Sequence, residues 1–221
     1  MIKITNEDNM QLMARYPNNY FDLAIVDPPY GIDISQELFK RGQSCAANGY
    51  KEHKNKDWDK SIPNKQYFDE LFKISKNQII WGGNYMTEFL PSKMGWIVWD
   101  KMQYNFSFAH GELDWSSFDS KLKIFRYARG NESGFAPKST DIDKQFANIH
   151  PTQKPVKLYE WLLQNYAKEG DKILDTNLGS GSIAIACHNL KFDLTACELD
   201  KDYFDASLKR LAQHQAQTVL F

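Results

Sequence analysis

The 221 residues read as an α/β chain with a mainly parallel sheet covered by helices on both faces. Three observations predict this. Short apolar runs such as Leu23-Ala24-Ile25-Val26 and Gln78 to Trp81 alternate with segments at helical spacing. A strand, a tight glycine turn and a helix follow one another at Ile173-Leu174-Asp175, Gly179-Ser180-Gly181 and Ser182 onward. A hairpin-like pair at 112–127 adds one antiparallel edge element.

Element by element, Ile2 to Thr5 alternates as a short strand, and Asn6-Glu7-Asp8-Asn9 supplies a turn and helix cap for Met10 to Tyr16. Phe21 to Val26 is a strand. Gly31 to Asn64 is a polar excursion longer than an ordinary connection. Tyr67, Leu71 and Ile74 fall at helical spacing within 67–76, and Gln78 to Trp81 is a strand ending at Gly82-Gly83. Trp96 to Trp99 is a strand. Glu112 to Phe118 and Leu122 to Tyr127 read as a strand pair with a tight connection. After an irregular stretch over 129–149 come a helix (Val156 to Tyr166), a strand (Lys172 to Leu174), a helix (Ser182 to Asn189), a strand (Leu194 to Cys197) and a helix (Asp202 to Ala212). No low-complexity linker or repeat interrupts this order, so 1–221 is expected to form a single domain.

Composition narrows the classes. An apolar content of 42% is enough for a core, and no stretch nears 18 uninterrupted apolar residues, which argues against a transmembrane helix. The N-terminal residues lack the apolar region of a signal peptide. Cys45, Cys187 and Cys197 form no C-x-x-C pair, so buried free thiols, a cytoplasmic location and no metal are expected. Formal net charge is −1, yet 31–66 holds seven Lys/Arg against five acids, and 120–149 six against three. Both segments lack regular periodicity, and a local basic excess on loops can steer a polyanion. Replacing Lys40 and Arg41 should flatten the salt dependence of polyanion binding.

Asp27-Pro28-Pro29-Tyr30, at the end of a buried strand, carries the most chemistry. The lone pair of a nucleobase amine is delocalised into its ring, so the nitrogen attacks poorly. Two acceptors that hold both N–H bonds favour a tetrahedral nitrogen. Asp27 can supply one and the Pro28 carbonyl the other. Consecutive prolines fix φ near −65° and keep that carbonyl aimed. Tyr30 can stack on the base, an interaction of about 1–3 kcal/mol.

The second group is the glycine turn. Asp175 leads into Gly179-Ser180-Gly181, and Glu198 ends the next strand, about 20 residues on, where it can accept hydrogen bonds from a ribose. Gly179 to Ala184 matches G-x-G-x-x-A, the dinucleotide pattern. The carboxylate of Asp175 would repel a pyrophosphate and suits an ammonium group. A cofactor bearing an amino acid and a sulfonium therefore fits better. The third group is His150-Pro151-Thr152-Gln153-Lys154-Pro155. Pro155 suits a helix start and Thr152 a cap, while hydroxyl, amide and ammonium groups together also suit a cofactor carboxylate.

Taken together, these three groups resemble the permuted, β-class amino-group DNA methyltransferases that use S-adenosylmethionine. Trp81-Gly82-Gly83-Asn84 and Trp96-Ile97-Val98-Trp99-Asp100-Lys101 are similar to phage and prophage members, and the resemblance spans nearly the whole chain. It implies a seven-stranded Rossmann-like sheet with one antiparallel strand, and Asp27 and Asp175 on neighbouring strands. It also implies Asp27, Pro28, Pro29 and Tyr30 as catalytic residues acting on a flipped base in double-stranded DNA. Asp8, Asp27, Thr152, Gln153, Lys154, Asp175, Asn177, Gly179, Ser180, Gly181, Glu198 and Leu199 match cofactor positions. Relatives with this tetrapeptide usually methylate adenine at N6, and those with serine at the position of Asp27 more often cytosine at N4. The alternatives are an N4-cytosine or RNA methyltransferase and a catalytically weak DNA-binding partner subunit, a role that Asn177, where most relatives carry phenylalanine, leaves open. The small target-reading region implies a short site or a second subunit, hence a homodimer. Gln217-Thr218-Val219-Leu220-Phe221 resembles the peptide that docks on bacterial sliding clamps. His110, near Glu112, is a candidate for a structural hydrogen bond, and Trp58, Trp115 and Trp161 for packing.

Overall fold

Alternation along the central strand places Leu23 and Ile25 in one core and Ala24 and Val26 in the other, while Phe21, at the strand's start, joins the second. The computed structural model describes residues 1–33, 59–102, 109–128, 149 and 152–218. Its strands are β1 (Ile2–Thr5), β2 (Phe21–Val26), β3 (Ser75–Trp81), β4 (Trp96–Asp100), β5 (Gly111–Ser116), β6 (Lys123–Arg126), β7 (Lys172–Asp175) and β8 (Asp193–Cys197). Its helices are α1 (Asn9–Met13), α2 (Lys65–Ile74), α3 (Val156–Tyr166), α4 (Ser182–Leu190) and α5 (Lys201–Thr218). The strands form one sheet in the order β1-β8-β7-β2-β3-β5-β4-β6.

All pairings are parallel except those of β5 with β3 and β4, so one strand runs against the rest. The single antiparallel strand matches expectation, and the eight strands read individually all pair, one more than the resemblance implied. The supposed hairpin at 112–127 needs correcting. β5 inserts between β3 and β4, and β6 pairs in parallel with β4 at the edge. The reason lies in side-chain chemistry. Asp114 and Trp115 of β5 are buried against both neighbours, whereas Leu122 and Ile124 are half-exposed as an edge tolerates. β3 also starts earlier than its apolar run, because α2 passes straight into it. Ser75 takes extended angles as the C-cap, and Gln78 Nε2 donates back to the Ser75 carbonyl at 2.7 Å.

Leu158, Leu162 and Leu163 of α3 and most of α4 cover one face with Leu23, Ile25, Ile79 and Trp81. Leu12 and Met13 of α1 and Tyr67, Phe68 and Leu71 of α2 cover the other with Val26 and Ile80. α3 begins where expected, with Pro155 as N-cap and no side-chain cap from Thr152. Asp8 caps α1, accepting from the N–H groups of Met10 and Gln11. Cys187 and Cys197 are buried free thiols. Cys45, Trp58, Lys40, Arg41, His150, Pro151 and the tail from Val219 lie outside the described residues, as do most of 31–66 and 129–149. No helix among the described residues is long and apolar enough to cross a membrane.

Candidate active site

β2 and β7 are adjacent and parallel, with Leu23 facing Ile173 and Ala24 facing Leu174. Both therefore deliver their carboxyl ends, Asp27 and Asp175, to the same edge of the sheet, where open α/β sheets bind ligands. A cavity of about 840 Å³ opens there. Asp27, Pro28, Pro29 and Tyr30 line it together with Asp8, Thr152, Gln153, Lys154, Asn177, Gly179, Ser180, Glu198 and Leu199. Asp175 and Gly181 are not on its wall. Asp175 is buried beneath the loop and accepts the Asn177 N–H at 2.9 Å. Burial pushes its carboxyl up to about 8, the Asn177 N–H opposing. Gly181, at φ +75°, brings α4 against α5, where an added Cβ would stand 3.0 Å from Ser207 Cβ.

At the carboxyl end of β2, the Tyr30 hydroxyl donates to Asp27 Oδ1 at 2.7 Å. The ammonium of Lys154, buried at 3% exposure, pairs with Asp27 Oδ2 and lies 3.4 Å from both the Tyr30 hydroxyl and Glu112 Oε2. Lys101 holds the other oxygen of Glu112 at 2.5 Å. Burial opposes the Lys154 charge, but Asp27 and Glu112 outweigh it and raise its pKa. Burial, reinforced by Asp27 and Glu112, raises the Tyr30 phenol, so it stays a donor. The Tyr30 ring stacks on Tyr85 at 5.2 Å and 16°. Gly82, at φ +67°, leaves room for that ring, since a Cβ there would meet Tyr30 Cε1 at 2.3 Å.

On the other side, Gly179, at φ +54°, donates its N–H to Glu198 Oε2 at 2.8 Å, while Glu198 Oε1 accepts from Asp200 N–H at 2.9 Å. Burial raises the Glu198 carboxyl, and these N–H groups oppose it. Asn6 Nδ2 ties β1 to the Glu198 and Leu199 carbonyls at 2.7 and 3.0 Å. Arg210 of α5 fastens the glycine loop from behind, donating to the Ser180 carbonyl at 3.0 Å. The side-chain oxygen of Gln153 is buried and has no partner among the described residues.

Several contributors escaped the sequence reading. Asp59, 1% exposed, accepts the N–H groups of Tyr30 and Gly31 on Oδ1 at 2.7 and 3.0 Å, and so pins the turn after β2. Tyr67 and Tyr159 also line the cavity. The Tyr67 hydroxyl lies 2.7 Å from Thr176 Oγ1 and 3.4 Å from Asn177 Oδ1. Glu112 makes the contact with Lys154, while nearby His110 is exposed and its carbonyl accepts the Lys101 N–H. The only sequence hint of Glu112 was its alternation within a strand. Trp115 and Trp161 are packing groups as expected.

Comparison with known proteins agrees with this arrangement. The model of a family described as DNA methylase matches residues 96–209. The type II methyltransferase M2.DpnII of Streptococcus pneumoniae is 37% identical, over 94% of this chain and 88% of its own. M.HpaI of Haemophilus parainfluenzae, another type II methyltransferase, is 24% identical over 91% of this chain and 71% of its own. Among solved structures, a DNA modification methylase from Thermus thermophilus, TTHA0409, complexed with S-adenosyl-L-methionine, superposes with a TM-score of 0.59 at 15% identity, covering 97% of this chain and 94% of that one. The M1.HpyAVI–SAM complex gives 0.57 at 19% identity over 96% of this chain and all of its own, and at such identities the likeness is one of fold. With a family model across half its length and a relative above one-third identity along nearly all of it, this chain belongs to the DNA methylase family.

Proposed function

We propose that this chain is a single-domain, β-class adenine methyltransferase that moves a methyl group from S-adenosylmethionine to the N6 amine of a flipped adenine in double-stranded DNA. The observation that carries the reading is the convergence of Asp27-Pro28-Pro29-Tyr30 and the loop 176–180 on one cavity. Its volume lies within the roughly 300–1,000 Å³ of small-molecule sites. The wall fits the cofactor. The unpartnered Gln153 oxygen suits an ammonium donor, and Glu198 suits ribose hydroxyls beside Leu199. S-adenosylmethionine, when bound there, supplies a methyl group activated by its sulfonium charge.

The residues of this chain then do the rest. Asp27 and the Pro28 carbonyl accept the two N–H bonds of the amine and favour a tetrahedral nitrogen. Tyr30, held by Tyr85 and Gly82, fixes one oxygen of Asp27. The carboxylate takes the proton that the amine gives up. Holding both reactants in one cavity supplies much of the rate. Aspartate rather than serine in the tetrapeptide favours adenine over cytosine. A cytoplasmic enzyme acting as a homodimer, with its C-terminal residues offered to a sliding clamp, is consistent with this role.

The test is incubation of the protein with labelled S-adenosylmethionine and duplex DNA, followed by digestion to nucleosides. N6-methyladenine should be the product, and Asp27→Ala should lower its formation about 10²–10³-fold, as loss of a preorganised hydrogen-bonding group does. N4-methylcytosine as the product, or an active Asp27→Ala variant, overturns the assignment.

A further inference from the structure

The three residues Thr152-Gln153-Lys154 read in sequence as a unit directed at the cofactor, and in space they divide. Gln153 leaves its oxygen for a ligand, whereas the Lys154 ammonium turns to the amine side. It contacts Asp27, Glu112 and the Tyr30 hydroxyl, and stands 5.0 Å from the centre of the Trp81 ring. Its main-chain carbonyl accepts from Ser182 Oγ at 2.7 Å, so its backbone is tied to the start of α4. Lys101, from the end of β4, closes the row by gripping Glu112 of β5.

We propose that Lys154 is a positioning residue for the amine, holding the Asp27 carboxylate, and that Glu112, braced by Lys101, keeps Lys154 there; neither lysine binds the cofactor carboxylate. Opposite charges alternate along this row, Lys101–Glu112–Lys154–Asp27. A buried ammonium freed from either acid would lose much of what offsets its desolvation. An acceptor is effective when its orientation is set before the reaction. Here Tyr30 fixes one oxygen of Asp27 and Lys154 the other. Glu112 is absent from the cavity wall, and its contact with Lys154 links it to Asp27. The other ionisable groups facing the row are Asp114 of β5, Tyr159 of α3 and Asp175 of β7.

This inference rests on the proposed methyl transfer. Its experiment measures two quantities for the wild type, Lys154→Met and Glu112→Gln. The first is S-adenosylmethionine affinity by calorimetry, and the second is kcat on duplex DNA at saturating cofactor. For Lys154→Met, kcat should fall about 10²–10³-fold. For Glu112→Gln, kcat should fall about tenfold or more. Cofactor Kd should stay within about threefold of wild type in both. A Kd weakened more than about tenfold in Lys154→Met places the ammonium on the cofactor and overturns the inference, as does an unchanged kcat in either variant. If Lys154→Met fails to fold, Glu112→Gln decides alone. A wild type without DNA methylation overturns the proposed function instead, and the Kd comparison still decides where Lys154 acts because it needs no turnover.

Discussion

Two single residues hold the Asp27–Tyr30 turn in shape. Gly82 takes left-handed angles beneath the Tyr30 ring. A side chain there would cost about 1–2 kcal/mol in backbone energy and would also strike Tyr30. Gly82→Ala should therefore lower the urea midpoint and reduce kcat about tenfold or more, because the displaced phenol no longer fixes Asp27. A variant that unfolds earlier but keeps wild-type kcat would show that the ring can settle elsewhere. Asp59 acts through the backbone. Asp59→Ala leaves the Tyr30 and Gly31 N–H groups without their acceptor, at about 1–3 kcal/mol. Asp59→Asn retains one side-chain oxygen and should recover most of that loss in chemical denaturation. Tetrapeptide and glycine were both visible in the sequence. Their dependence on each other was not, because Asp59 reaches back 29 residues across the polar excursion and Gly82 sits a whole strand away.

Among elements, the local ones were legible and the crossings were not. α3 was read to the residue, since four apolar side chains repeat at helical spacing. The parallel neighbours β2 and β7 followed from the resemblance, and with them the meeting of Asp27 and Asp175. The order of β4, β5 and β6 did not follow, because alternation says which face a residue occupies and nothing about which strand lies alongside. The glycine turn shows the same division. Gly179 faces the cavity, whereas Gly181 serves the α4–α5 contact. Gly181→Ala should cost about 1–2 kcal/mol of backbone energy plus the close approach to Ser207 in denaturation, and change cofactor Kd less than about threefold. Gly170 also has positive φ but nothing within 4 Å of its missing Cβ, so Gly170→Ala carries only the backbone cost. The larger loss should therefore appear in Gly181→Ala.

At the scale of the molecule, the site concentrates carboxyls that burial pushes above their ordinary range. Asp114 is fully buried on β5, and neither of its oxygens has a partner among the described residues. Burial raises its carboxyl well above the usual range; Asp27 and Glu112 add to this, and Lys154 opposes it. Asp175 rises to about 8, mainly through burial. In the unfolded chain both ionise near pH 4. Through these two groups the folded chain binds more protons than the unfolded one above about pH 4, for Asp175 up to about 8, and their contribution to stability falls as pH rises. Each retained proton contributes about 1.4 kcal/mol per pH unit to that slope. Glu7 works in the other direction but elsewhere on the scale. Its bond to Arg15 lowers it to about 2, so its contribution is lost only as pH falls towards that value. Removing one raised acid isolates the effect. In urea unfolding at pH 5 and 8, Asp114→Asn should lose less stability with rising pH than wild type. Its absolute stability can fall, because the amide is no better partnered than the acid it replaces. Equal slopes in the two proteins would mean that Asp114 is ionised in the folded state, with Lys154 shared among three carboxylates rather than two.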